Sequence, residues 1–332
     1  MPCDGYCSVG ESFLFVWGCA SYFLYGIILT VILKWRKEEF SSPFFLMVAN
    51  LAVADMVRWP VYLSSYTFPR WGWFAAFYEG NDLWAGLGAN LQMLFSQAQK
   101  INNMLLAGNR FTAIILPLRH DSIWQLRLGK IIATSWVLSF LLNIPFFTGW
   151  AYGYQYDLIP GLNGTRKGYA VNYAASTPAY VYIMTLGNIA ATCVITIIWY
   201  TVTYGAIIAK GLSGTFCVSG EEAAGQSAFR MQVHLALGMM GLASIQLAAS
   251  VYGLIVLLFI AQMLADADVY YSRWYVIVTF DCMANPWALL LMSRVLRAQF
   301  TQMIEKNGQA QQPKNVGNNA HNNNNNRLPS VA

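Results

Sequence analysis

Long apolar runs, each bounded by short polar stretches, set the rhythm of this chain. Seven of them, at about 13–33, 44–65, 83–110, 129–150, 178–208, 232–262 and 271–292, reach the roughly 20 residues of helix that cross a bilayer's hydrocarbon core. The third and fifth exceed that length and predict helices that tilt or project beyond the lipid. The third is also the most polar, being interrupted by Gln92, Gln97, Gln99, Lys100, Asn102 and Asn103. Gln92, Gln99, Lys100 and Asn103 recur at helical spacing, which predicts a stripe turned to the interior of a bundle rather than to lipid. The pattern predicts an all-α membrane protein, a seven-transmembrane helix bundle within residues 13–304 that follows a short segment 1–12. Residues 305–332 carry QAQQPKN and an Asn run at 322–326. Such a tail cannot bury a core and is expected to be disordered.

Composition agrees. The chain of 332 residues is 57% hydrophobic and only 11% charged, where a soluble protein carries roughly a quarter charged residues. Its six cysteines are scattered without a CxxC pair, which gives zinc and thioredoxin-type chemistry no support. Cys3 and Cys7 stand close enough to pair if the N-terminus is outside, although cysteines so spaced are more often free. The formal charge of +5 suits loops facing anionic lipid, and no basic motif points to nucleic acid. No Lys or Arg precedes the first apolar run, so that run is expected to be a retained span rather than a cleaved signal.

The basic residues set the orientation. With the N-terminus outside, 13 Lys and Arg fall in cytoplasmic segments and four (Arg70, Arg166, Lys167, Arg273) fall outside, a strong positive-inside bias. The sequon Asn163-Gly164-Thr165 then lies in the external loop between spans four and five, a candidate glycosylation site at Asn163. This topology predicts a multi-pass plasma-membrane protein with its C-terminus in the cytoplasm.

Ionisable residues inside lipid need a partner or a task. Asp55 sits in the middle of span two with Arg58 one turn outward, Lys100 in span three, and Asp281 in span seven before Asn285-Pro286. Two readings are open. Asp55 and Arg58, spaced i and i+3, neutralise each other along one helix face. Alternatively Asn50, Asp55, Lys100, Asn103, Asp281 and Asn285 build an interior polar network, with water or a cation, beside the hinge at Pro286. Aromatic residues crowd the outer ends of spans two and three. Trp59, Tyr62, Tyr66, Trp71, Trp73, Phe74 and Trp84 read as an interfacial belt; Trp59, Tyr62, Tyr66 and Trp84, with Gln92, are also candidates to line an outward-facing ligand cavity.

These residues carry a family resemblance. NLAVAD (50–55) resembles the span-two signature of rhodopsin-like G-protein-coupled receptors, and GNRFTAIILPL (108–118) their DRY segment with its loop proline. Trp136 matches the span-four tryptophan, RWGWF (70–74) the first external loop, NPWALL (285–290) the NPxxY position and RVLRAQF (294–300) the short amphipathic eighth helix. NRFTAIILPLRHDSIW (109–124) is most similar to nematode serpentine chemoreceptors of the group that includes classes gamma and v. The resemblance implies a chemosensory receptor that binds a small molecule from outside and activates a heterotrimeric G protein. It implies G-protein coupling through Asn109, Arg110, Phe111 and Pro117, and a candidate sodium site at Asp55. Arg230, Gln232, His234, Glu221 and Glu222 are candidate partners of Arg110 at rest, although plain solvation serves the glutamates equally.

The chain departs from the family's pattern in several places. Asn109 replaces the acid before the arginine and Phe111 the tyrosine, span six has no proline, and Leu290 replaces the last tyrosine. The outer end of span three and the 151–177 loop contain no cysteine, so the family's disulfide has no partners there. Span seven has no lysine for a retinal Schiff base, and Gln92 stands where aminergic receptors carry an aspartate, which favours a neutral or weakly polar ligand. No hydrolase elbow, HExxH or P-loop occurs, GxGD is missing around both membrane aspartates, and no enzymatic activity is expected. His120 and His234 read as surface residues near the cytoplasmic boundary. The rival class is a seven-span ligand-gated cation channel of inverted topology, in which the span-three stripe lines a pore. A transporter is disfavoured by the lack of internal repeats.

Overall fold

The computed structural model describes residues 9–36, 40–149, 154–160, 167–173, 267–293 and 296–302, with scattered helical positions between 187 and 209 and at 251. Spans five and six, the first eight residues and the tail beyond 302 lie largely or wholly outside the described residues. So do Asn163 and the candidate partners Glu221, Glu222, Arg230, Gln232 and His234.

Helix α1 (Val9–Lys34) runs through the first apolar stretch. Ser42 and Pro43 open α2 (Pro43–Tyr62), where a missing N–H at the first turn costs nothing. Pro60, inside α2, removes a backbone donor, and the helix widens into a π-helical turn, Leu63–Thr67, before α3 (Phe68–Arg70). Gly72 and Gly80 take positive φ angles of 68° and 71° on either side of α4 (Ala75–Tyr78). Phe74 also holds a positive φ, 58°, an uncommon conformation for an aromatic residue. Asn81 caps α5 (Asp82–Ile115) by accepting from the Trp84 amide at 3.1 Å. Leu116, with φ −122° and ψ 54°, leaves the helical region before Pro117 and ends it. Then come α6 (Pro117–Trp124) and α7 (Leu128–Gly149), two helices bent by 59° at their junction. In the last span α8 (Ala267–Met283) and α9 (Asn285–Met292) meet at Ala284, just before Pro286. Residues 296–302 are helical.

The described helices coincide with spans one to four and seven. Among the described residues Val9–Lys34, Pro43–Arg70 and Trp274–Leu291 are long and apolar enough to cross a membrane, and the bent pair α6–α7 passes the same test when taken together as one span. α5 is not among them because its amide stripe lowers its hydropathy. It survives as a helix by packing on α2 and α7, while α1 packs against α2, α8 and α9. Two apolar clusters fill the interior. One, around Ile32, Phe40, Phe44, Met47, Leu106, Trp124 and Leu289, lies at the Arg110 end. The other, around Tyr25, Trp59, Tyr62, Trp71, Tyr275 and Met283, lies toward the opposite end.

The all-α reading needs one correction. Tyr154–Pro160 (β1) and Lys167–Tyr173 (β2) form an antiparallel hairpin, registered from Tyr154 opposite Tyr173 to Pro160 opposite Lys167. The alternating aromatic and β-branched positions of YQYDLIP and KGYAVNY suit a half-buried strand pair. Tyr156, Tyr169 and Val171 are buried against Tyr78, Ala85 and Ala89. The hairpin therefore sits on the outer end of α5 and the π-helical turn.

Close approach of the π-helical turn and α5 depends on Gly88, where a methyl group would overlap the Ser65 side chain. Gly88→Ala should destabilise the bundle by about 1–3 kcal/mol, read as a lower Tm of the detergent-solubilised protein. Adding Ser65→Gly should restore much of it.

Candidate functional site

Arg58 projects from α2 into the bundle and is 4% exposed. Its Nη1 donates to Asp281 Oδ2 at 2.5 Å and also to Gln99 Oε1. Gln92, with its amide turned to satisfy both ends, donates to the Arg58 carbonyl and accepts from Nε, each at 3.3 Å. Gln99 Nε2 reaches on to the Asp281 carbonyl at 2.9 Å, at the break between α8 and α9. α2, α5 and the seventh span are thus joined around one guanidinium.

Asp55 lies beside this pair and is served by neutral donors. Its Oδ2 accepts from the Tyr25 hydroxyl at 2.5 Å and from Asn285 Nδ2 at 2.6 Å. Arg58 therefore makes its ion pair with Asp281, not with Asp55, and the i, i+3 neutralisation along α2 is not what the side chains do. Asp55 Oδ1 and Asp281 Oδ1 are buried and accept no hydrogen bond among the described residues. Two carboxyl groups, one ion-paired and one held by neutral donors, thus lie beside one guanidinium.

A second polar join lies lower in the bundle. Trp136 Nε1 on α7 donates to Asn50 Oδ1 at 2.9 Å, and Asn50 Nδ2 donates to Asn102 Oδ1 on α5 at 2.6 Å. Asn50 hence links three helices but contacts Asn102 rather than Asp55. Asn103 is buried, and its Nδ2 finds no acceptor among the described residues. Lys100 is half-buried on α5 and makes none of the bonds named above.

At the other end of α5, Arg110 is 4% exposed and lies over the Phe44 ring, 3.5 Å from its centroid. Asn109 turns away to α6. Its Nδ2 donates to His120 Nε2 at 3.0 Å, which leaves the Nδ1 proton facing Asp121 Oδ1 at 3.2 Å. His120 is consequently an interhelical joint, not the surface residue expected. Phe111 packs on Trp199 with ring centroids 5.4 Å apart, and Pro117 starts α6.

The outer aromatic set divides. Trp59 faces α1, beside Phe15 and Tyr22 and against Gly18, where a methyl would overlap its ring. Tyr62 stacks on Tyr66 at 5.2 Å and on Tyr275 at 6.3 Å. The carbonyls of the π-helical turn point at the loops: Ser64 O accepts from Tyr78 at 2.5 Å and from Trp84 Nε1 at 3.4 Å, and Ser65 O accepts from Tyr156 at 3.0 Å. Burial pushes the Tyr78 phenol up to about 12 and also raises Tyr156, so both remain protonated donors at neutral pH. Close by, Arg70 and Glu11 form a buried ion pair, with Trp71 Nε1 3.4 Å from Glu11 Oε2.

Of the network expected from the sequence, Asp55, Asp281 and Asn285 lie together, whereas Asn50 joins Asn102 instead; Gln92, expected in an outer cavity, meets Arg58, and Tyr25, Phe44 and the Glu11–Arg70 pair were missed. Tyr25 and Phe44 look like ordinary apolar positions in a span. Arg70, next to the tryptophans of the first external loop, reads as a surface charge.

A family model described as "Serpentine type 7TM GPCR chemoreceptor Srv" matches residues 14–306. The chain is 22% identical over 282 residues to Serpentine receptor class V-1 of Caenorhabditis elegans, covering 81% of each. Shorter stretches match the probable G-protein coupled receptor 45 of Mus musculus (28% over 127 residues, 38% of this chain and 33% of that one). They also match the octopamine receptor Oamb of Drosophila melanogaster (29% over 126 residues, 37% and 19%).

Removing one side of a buried ion pair leaves the other charge uncompensated and costs about 3–5 kcal/mol, while replacing both with apolar residues is often tolerated. Arg58→Leu should thus sharply lower the Tm of the purified protein. Arg58→Leu combined with Asp281→Leu should recover a large part of the loss.

Proposed function

The chain belongs to the serpentine 7TM chemoreceptor family Srv, and on that premise we propose that it is a cell-surface chemosensory receptor that signals through a heterotrimeric G protein. The observation that carries the reading is the position of Arg110, buried under the first turn of α2 at the end of a helix that reaches the outer aromatic set at its other end. A ligand shifts such a bundle only through its differential affinity for two packings. The join of α2, α5 and the seventh span at Arg58 and Asp281 is where a change near Tyr62, Tyr66 and Gln92 passes inward. In the signalling state Arg110 leaves Phe44 and receives the α-subunit tail, with Asn109, Phe111 and Pro117 shaping the surface around it.

The ligand is a small neutral or weakly polar molecule. Gln92, at the position where an amine receptor needs a carboxylate, is engaged with Arg58, which supports that class. Asp55 and Asp281, each with an oxygen that accepts no hydrogen bond among the described residues, are the residues that would hold a sodium ion, which would supply positive charge beside Arg58. The ion-channel reading loses ground, because the matched family is described as 7TM GPCR chemoreceptors and one relative is named a probable G-protein coupled receptor.

Two measurements test this. Arg110→Ala should abolish G-protein activation by a responding ligand or by constitutive coupling while leaving surface expression largely intact; undiminished coupling removes Arg110 from the mechanism. An N-terminal epitope should be accessible on intact cells, and Asn163→Gln should abolish a glycosidase-sensitive mobility shift. An N-terminus found inside would put Arg110 on the wrong face for a G protein.

A further inference from the structure

The arginine at the end of span three is followed in this chain by a question of what holds it at rest, since the residue before it is an amide. Asn109, 1% exposed, has its side chain committed to His120 on α6. The Arg110 guanidinium instead lies face-on to Phe44, with 3.5 Å between the Cζ atom and the ring centroid. Phe44 is 1% exposed. It belongs to the first turn of α2, is braced edge-to-face by Phe45 at 5.3 Å, and shares its cluster with Leu106, Leu289 and Leu296. Water is therefore kept from the contact on the α2, α5, α9 and 296–302 sides. In such surroundings a cation over an aromatic face is worth far more than at an exposed site, because neither partner is solvated.

We propose that Phe44 is the positioning residue for Arg110: its ring face is a clamp that stores the guanidinium under α2 in the resting receptor. The clamp adds an aromatic hold on an arginine whose preceding residue is an amide turned to α6. It also makes release depend on how α2 and α5 are packed at this end, so that any displacement of their ends weakens the hold at once. The meaning of release rests on the G-protein reading above; the contact itself does not.

The test replaces Phe44, in the full-length receptor, by mono-, di- and trifluorophenylalanine. This series drains negative charge from the ring face while nearly preserving shape. Two readouts are taken: basal G-protein activation at matched surface level, and the Tm of the solubilised receptor. With each added fluorine, basal activation should rise, to about tenfold for the trifluoro ring, and the Tm should fall. In an Arg110→Gln background the Tm should no longer follow the series, whereas Phe44→Trp in the native background should keep basal activity at or below the wild-type level. A Tm and a basal activity that stay flat across the series, with Phe44→Leu still destabilising, would reduce Phe44 to a packing residue and overturn the proposal. A Tm that follows fluorination in a receptor that activates no G protein would uphold the clamp and count against the G-protein reading instead.

Discussion

A guanidinium enclosed in a lipid-spanning bundle has to find anionic and neutral acceptors within the protein, because the bilayer supplies none. Arg58 meets that requirement with Asp281 and Gln99, and Gln92 covers its remaining edge. Much else follows from this demand. Two of the amides that make α5 too polar to be an autonomous span, Gln92 and Gln99, are spent on this one side chain of α2. Asp281, once paired, fixes the break between α8 and α9 next to α2, and Asp55 is left to Tyr25 and Asn285. The pair costs desolvation, so it specifies which helices meet more than it adds stability.

A second constraint comes from Pro60. The helix that follows it opens into a π-helical turn, and carbonyls that a regular helix would keep for itself become acceptors for Tyr78, Trp84 and Tyr156. The same irregularity places Ser65 against Gly88 and gives the hairpin its seat. In this way a backbone defect inside lipid is satisfied by aromatic donors from the loops, which also fastens the loop that lacks the cysteines of a disulfide tether. At the opposite end the Arg110–Phe44 stack and the Asn109–His120 bond play the matching part, binding α5 to α2 and to α6.

Several of these features were legible in the sequence, for identifiable reasons. Helices α1, α2, α5 and α7 and the break before Pro286 follow from apolar run length and from proline, both local properties. The interior orientation of Gln92, Gln99 and Asp55 follows from helical spacing and from the cost of polar groups in lipid. The β-hairpin did not emerge, because two seven-residue alternations between long apolar runs carry little weight until they lie on a surface that buries Tyr156 and Tyr169. Nor did the choice of Asp281 over Asp55 by Arg58, since both carboxylates are equally acidic on paper and the nearer one in sequence is not the one its side chain reaches.

By itself, then, the chain's sequence determined that it lives in a membrane, roughly where spans one to four and seven run, and which family it belongs to; these depend on composition, periodicity and motifs that each occupy a few consecutive residues. Only the tertiary structure decided the partners: Arg58 with Asp281, Asp55 with Tyr25 and Asn285, Trp136 with Asn50, and Arg110 with Phe44. Each pairing joins residues from different helices. It is set by crossing geometry and by the need to satisfy buried polar groups collectively, and neither can be read from one helix at a time.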